Sequence, residues 1–98
     1  MGKFVLAYKG GKMAETDEER QAAMEAWGAW FGGLSSAVVD AGNPFAGSTS
    51  VGGGGTSGLT GYSILSADSL DAASKHAESC PVLGNGGSVE VYEVLEIM

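Results

Sequence analysis

The chain has 98 residues, 44% of them hydrophobic, and its twelve acidic and five basic side chains give a formal charge of −7. This length is that of one domain, which excludes an enzyme with separate cofactor and substrate domains. The chain has too few basic residues to form a positively charged surface along a phosphate backbone, so neither nucleic acid nor an anionic membrane surface is expected as a partner. A single cysteine, Cys80, excludes an intrachain disulfide and a cysteine metal cluster.

The first two predicted elements are a strand and a helix. Residues 4–8 form a short apolar run that ends at a glycine turn, which predicts a strand. This run is too short for a signal peptide, so we expect a cytosolic protein. Thr16 and Glu19 have the spacing of a capping box, with acidic residues in the first helical turn. Apolar residues then recur every three or four positions, which predicts a helix over 17–34.

The middle of the chain predicts two strands around a glycine-rich loop. Residues 37–41 are apolar except for Asp40 and include two β-branched valines, which predicts a second strand. Pro44 ends this strand or places it at a sheet edge, because proline cannot donate a ladder hydrogen bond. Residues 46–58 consist mainly of Gly, Ser and Thr, so we expect a mobile loop. Strand character returns over 58–65.

The last predicted elements are a helix and a strand. Asp68 or Ser69 is the predicted cap of the second helix, and Pro81 is predicted to stop it. The predicted buried face of this helix consists of Leu70, Ala73, Ala77 and Cys80. A glycine turn at 84–87 then leads into a last strand over 88–97.

The resulting order, β-α-β-β-α-β, predicts an α+β fold of the ferredoxin-like type, with two helices on one face of a four-stranded antiparallel sheet. A sheet with one wet face would alternate apolar and polar residues, and these strands do not. In the first strand Phe4, Leu6 and Tyr8 point one way, while the equally apolar Val5 and Ala7 point the other. Because two helices cover only one face, we expect the other face to pack on a second copy, forming a homodimer of the dimeric α+β barrel type.

One end of such a sheet is predicted to collect the candidate site residues Tyr8, Lys9, Asp40, Asn43 and His76. Asp40 follows an apolar run, where a charged side chain is unfavourable unless it has a function or is hydrogen-bonded. It is therefore a candidate general base; the alternative is that it accepts backbone N–H groups in the turn. His76 is the only histidine and a candidate acid or base; the alternative is a boundary residue near a helix end. The two would act together only within hydrogen-bond reach of each other.

Other motifs have simpler interpretations. Cys80 and the tryptophans at helical spacing fit a core. Residues 53–58 have the spacing of a dinucleotide-binding loop, but they precede a strand instead of following one, so that interpretation is rejected. Lys9 and Lys12 flank a pair of glycines and form either an anion-binding turn or a solvated one. No cofactor and no metal are expected.

Several blocks of this sequence resemble the YCII-related family, in the branch near the DGPF-type proteins. The blocks are 26–31, 42–45, 61–64 with 67–73, 80–81 and 86–93, and they span essentially the whole chain. The resemblance implies a ferredoxin-like dimeric α+β barrel. Some members are proposed to use a His–Asp pair, with the aspartate near the end of the second strand and the histidine in the first helix. Asp40 matches that carboxylate, whereas the first helix of this chain contains no histidine.

The leading functional hypothesis is a homodimer that binds a small polar metabolite, without a cofactor, in a cleft near Asp40. The enzyme alternative is acid–base or lyase-like chemistry, with Asp40 as base, Tyr8 or Lys9 orienting the substrate and His76 as a second group. A third possibility is an accessory subunit whose exposed patch recognises another protein. A backbone-bonded Asp40 and a solvent-facing His76 would favour binding, whereas both side chains in one cleft would favour chemistry.

Overall fold

Four strands form one antiparallel sheet in the computed structural model, which describes residues 2–10 and 15–96. They are β1 (Gly2–Lys9), β2 (Val38–Asp40), β3 (Leu59–Ala67) and β4 (Ser88–Glu93). Their order across the sheet is β2-β3-β1-β4, and every neighbouring pair is antiparallel. Because β1 and β2 both oppose β3, they run parallel to each other, which confirms the predicted ferredoxin-like topology.

The first helix, α1 (Asp17–Leu34), has the predicted bounds. Its first turn is capped as the sequence predicts, since Thr16 Oγ1 accepts the backbone N–H of Glu19 at 3.1 Å. Trp30 is the buried residue of α1. The other apolar side chains of this face that pack against the core are Trp27, Phe31 and Leu34.

The predicted end of the second helix is wrong, because Pro81 starts a helix instead of stopping one. The helix α2 spans Leu70–Ala77 and is capped by Ser69, and Pro81 is the first residue of the short helix α3 (Pro81–Gly84). Proline suits that position because the first N–H groups of a helix have no partner within it. Ala73 and Ala77 are buried on α2 as predicted, and Cys80 is also buried, although it follows α2 instead of lying on it. The predicted buried face is wrong for Leu70, which is 47% exposed.

Two strands end earlier than predicted. A 3-10 helix (Ser35–Ala37) precedes β2, so this strand is shorter than the predicted 37–41. β4 ends at Glu93, although the backbone N–H of Val94 still donates to the Lys3 carbonyl at 2.9 Å. The predicted end at Ile97 lies outside the described residues, as does the Lys12 side of the proposed anion-binding turn. The glycine-rich segment 46–58 contains no helix or strand.

The helices cover one face of the sheet and leave the other face without helices. Phe4, Leu6, Tyr8 and Leu65 are buried beneath the helices. The alternate residues of the same strands point to the other face. We call this second surface the helix-free face, and it includes Val5, Ala7, Tyr62, Ile64 and Tyr92. These five side chains are aliphatic or aromatic, which agrees with the failure of the strands to alternate.

Among the described residues, no helix is both long enough and apolar enough to cross a lipid bilayer.

Candidate functional site

Asp40 ends β2 and begins a tight turn against β3. We call residues 40–42 the Asp40 turn. Its side chain is exposed, and Oδ1 accepts the backbone N–H of Gly42 at 2.8 Å. Gly42 has a φ of +76°, and a Cβ built there would lie 1.8 Å from the Tyr62 carbonyl oxygen. The chain therefore passes so close to β3 that only glycine fits, and this close approach holds the Asp40 carboxylate in place.

The segment after this turn stays attached to β3. The backbone N–H of Tyr62 donates to the Asn43 carbonyl at 3.3 Å, and the N–H of Phe45 donates to the Thr60 carbonyl at 2.8 Å. The Phe45 ring stacks on Tyr62 with 5.7 Å between ring centroids. Asn43 is exposed, so its amide lies at the surface beside the Asp40 turn.

A buried hydrogen-bond chain links the core to the same turn. The Tyr8 hydroxyl donates to Ser63 Oγ at 2.6 Å, and the Ser63 hydroxyl donates to the Ala41 carbonyl at 2.6 Å. Burial raises the pKa of Tyr8 to about 12, against a smaller lowering by the Ser63 hydrogen bond. The phenol is therefore neutral at physiological pH, and it supports the turn from within the core.

Lys9 belongs to a separate polar cluster on the helix-free face. Its ammonium lies 3.6 Å from the Glu90 carboxylate on β4, and the Tyr92 hydroxyl donates to the same carboxylate. The Tyr92 hydrogen bond, together with the Lys9 charge, lowers the pKa of Glu90. Glu90 and Tyr92 were not predicted as polar partners, because the sequence does not show which residues of β4 lie beside β1.

His76 lies on the other side of the molecule, in an open groove between α1 and the α2–α3 segment. The groove has a volume of about 680 Å³. Its lining residues are Ala26, Ala29, Trp30, Gly33, Leu34, Lys75, His76, Ser79 and Pro81. The indole N–H of Trp30 donates to the His76 carbonyl and to Ser79 Oγ, each at 3.1 Å. This shared hydrogen bond ties α1 to the end of α2.

The predicted site residues are therefore distributed over three places. Asp40 pairs with Ile64 in the middle of β3, whereas Tyr8 pairs with Gly61 near the beginning of that strand. Tyr8 is connected to the Asp40 turn through Ser63. Within residues 2–10 and 15–96, no ion pair or hydrogen bond joins Asp40 to His76.

Ser63 is a site residue that the sequence analysis missed. Its signal is a hydroxyl at a core position of β3, two residues before the fully buried Leu65. Such a residue needs hydrogen-bond partners once it is buried, but their identity depends on strand register. Across the described parts of the chain, His, Cys, Asp and Glu form no cluster of three that could hold a metal ion.

The buried Tyr8 and Cys80 predict that stability falls at high pH. Burial raises the pKa of the Cys80 thiol from 9.0 to about 11 and that of the Tyr8 phenol from 10.0 to about 12. Between these values the unfolded chain loses protons that the folded chain retains, so the free energy of unfolding decreases as pH rises from about 9 to about 12. Below pH 9 this contribution is fully present.

Urea unfolding of the wild type and of a Tyr8→Phe/Cys80→Ala double variant, measured at several alkaline pH values, tests this. The variant is less stable overall, but its free energy of unfolding should depend less on pH than that of the wild type. Identical pH slopes for the two proteins would show that neither buried group is responsible.

Comparison with known proteins gives a family and no individual relative. No curated protein and no solved structure gives a significant match to the chain. The sequence profile of the YCII-related domain, in contrast, matches residues 2–98. This match covers nearly the whole chain and agrees with the ferredoxin-like sheet described above. The chain therefore belongs to the YCII-related domain family.

Proposed function

We propose that this protein is a homodimer that binds a small polar metabolite at the Asp40 turn of each subunit. The observation that carries the proposal is an exposed carboxylate whose direction is fixed by the backbone. Asp40 Oδ1 is held by the Gly42 N–H, while the charged group as a whole remains at the surface. A group held in this way loses little conformational freedom when a ligand binds.

The expected ligand carries hydrogen-bond donors. An ionised carboxylate only accepts hydrogen bonds, so Asp40 favours amine or hydroxyl groups. The exposed amide of Asn43, three residues along the chain, supplies both a donor and an acceptor. Tyr8 acts indirectly in this proposal, because its hydroxyl orients Ser63 and thereby the Ala41 carbonyl. Lys9 lies beside Glu90 on the helix-free face, which the proposed dimer covers, so this proposal assigns it no contact with the ligand.

Binding is favoured over acid–base chemistry because the two candidate acid–base residues, Asp40 and His76, lie apart. His76 lines the groove beside α1, and none of the other groove residues belongs to the Asp40 turn. A general base and a general acid must both reach the reacting atoms. The accessory-subunit hypothesis requires an apolar surface left exposed, and the homodimer would cover the helix-free face.

The Asp40→Asn variant tests the ligand site. Asparagine retains an oxygen that can accept the Gly42 N–H, so the turn persists while the charge is removed. We expect metabolites that raise the melting temperature of the wild type to lose most of this effect in the variant. Asp68→Asn is the matched control, because Asp68 is an exposed aspartate between β3 and α2. Equal ligand responses in wild type and Asp40→Asn would remove Asp40 from the site.

The Ile64→Asp variant tests the dimer. Ile64 is half-buried in the middle of the helix-free face, opposite Val5. An unpaired charge buried in an interface costs several kcal/mol, so the dimer Kd should rise about 100-fold or more. Sedimentation velocity over a concentration series measures this change.

Leu83→Asp is the matched control for the dimer, because Leu83 is 42% exposed on α3, away from the helix-free face. It should leave the sedimentation coefficient of the wild type unchanged. A wild-type protein that sediments as a monomer at micromolar concentration would contradict the dimer, as would an Ile64→Asp variant that remains dimeric.

A further inference from the structure

The lining of the groove between α1 and the α2–α3 segment differs in charge from the chain as a whole. The chain has twelve acidic and five basic residues apart from its histidine. None of the residues lining the groove is acidic, whereas Lys75 and His76 both lie on its wall. The described lining of the groove therefore carries one lysine, one histidine and no carboxylate, in contrast to the acidic chain as a whole, and this favours an anion as its ligand.

The remaining polar groups of the groove already have partners. Ser79 Oγ accepts the Trp30 indole N–H and donates to the His76 carbonyl at 3.2 Å. The donors left for a ligand are therefore the Lys75 ammonium and the His76 imidazole, which carries an N–H in either tautomer. Among the described residues no carboxylate forms an ion pair with Lys75, whereas Lys9 and Arg20 each have one.

The rest of the groove is apolar and has room for a ring system. Trp30 lines the groove, and Ala26, Ala29 and Gly33 lie along one face of α1 at helical spacing. A Cβ built on Gly33 would meet no atom within 4 Å, so the space beside this exposed residue is open. The volume of about 680 Å³ lies within the range of small-molecule sites.

We propose that this groove binds a small organic anion with an apolar, preferably aromatic, body, which lies over Trp30 and Gly33 and directs its carboxylate or sulfonate to Lys75 and His76. This second site is independent of the Asp40 turn. It also lies on the helix side of the sheet, so a dimer formed through the helix-free face leaves it accessible.

Titration of the full chain with 2-naphthoate, followed by the NMR signal of the Trp30 indole N–H, tests the proposal. We expect saturable binding that is weakened at least about tenfold by Gly33→Leu, whose side chain occupies the groove. Gly28→Leu is the matched control, because Gly28 is an exposed helical glycine with equally open space that does not line the groove. Ala29→Leu is a second blocking variant in case Gly33→Leu alters the helix.

The charge of the ligand is tested separately. The neutral analogue 2-naphthalenemethanol should bind more weakly than 2-naphthoate, and Lys75→Gln should weaken 2-naphthoate by about two- to fivefold. Lys3→Gln and Asp40→Asn should leave its affinity unchanged, which separates this site from the Asp40 turn. The proposal is overturned if 2-naphthoate does not bind at millimolar concentration, if neither blocking variant weakens it, or if the neutral analogue binds equally well.

Discussion

Replacing Gly42 with alanine should lower the free energy of unfolding by about 3 kcal/mol, because it combines an unfavourable left-handed conformation with a direct steric conflict. Gly42 has a φ of +76°, and the new Cβ would lie 1.8 Å from the Tyr62 carbonyl oxygen. Neither atom is at the end of a flexible side chain, so the backbone of the turn or of β3 must move.

That movement should affect ligand binding more than a general loss of stability would. The backbone around Gly42 holds the Asp40 carboxylate, the Ala41 carbonyl that Ser63 contacts, and the Asn43 carbonyl that pairs with Tyr62. Displacing the turn by about an ångström would break or lengthen all three hydrogen bonds. The proposed metabolite response should therefore be lost even under conditions in which the variant remains folded.

The control for Gly42→Ala is Gly58→Ala. Gly58 also has a φ of +76°, but a Cβ built there would meet no atom within 4 Å. Its substitution should cost only about 1 kcal/mol, the backbone contribution alone. Urea unfolding of the two variants gives the difference. Equal costs would show that the close approach to Tyr62 has no energetic consequence, and that the Asp40 turn does not depend on a glycine at position 42 for steric reasons.

The fold could be predicted from the sequence wherever local signals decided the structure. The capping residue Thr16 and the apolar periodicity that follows it set both ends of α1. The order of the elements then left few possible topologies, because crossovers between parallel strands have a fixed hand. The region after α2 was not predictable in the same way. Proline both ends helices and begins them, and at Pro81 the pattern alone did not distinguish the two roles.

The candidate site was less predictable because its contacts join distant residues. Asp40 was recognisable as a charge at the end of an apolar run. Tyr8, in contrast, was predicted as a ligand contact, and its alternation with Phe4 and Leu6 places it in the core beside Ser63, 55 residues along the chain. The groove over Gly33 is a space between elements. In the sequence, the α1 residues that line the groove show only ordinary helical spacing. The groove itself exists because α2 and α3 pack beside α1.

Replacing Trp30 with alanine should be the most destabilising of the substitutions considered, with an expected loss of about 3–5 kcal/mol. Trp30 is 8% exposed, and its ring packs against Phe31 and Trp27 with centroid distances of 4.9 and 5.7 Å. A protein of this size has a total stability of about 5–15 kcal/mol, so the variant should be partly unfolded at moderate temperature. Thermal unfolding followed by circular dichroism measures the loss.

The Trp30→Phe variant separates packing from hydrogen bonding. Phenylalanine keeps most of the ring contacts but removes the indole N–H that joins α1 to His76 and Ser79. We expect a cost of about 1–2 kcal/mol, because Ser79 still donates to the His76 carbonyl and limits the number of unsatisfied groups. Trp27→Phe is the control, since Trp27 is half-buried and its indole donates no hydrogen bond within the described part of the chain. If both phenylalanine variants are equally stable, the shared hydrogen bond does not hold α1 against α2. The groove would then have to be maintained by ring packing alone.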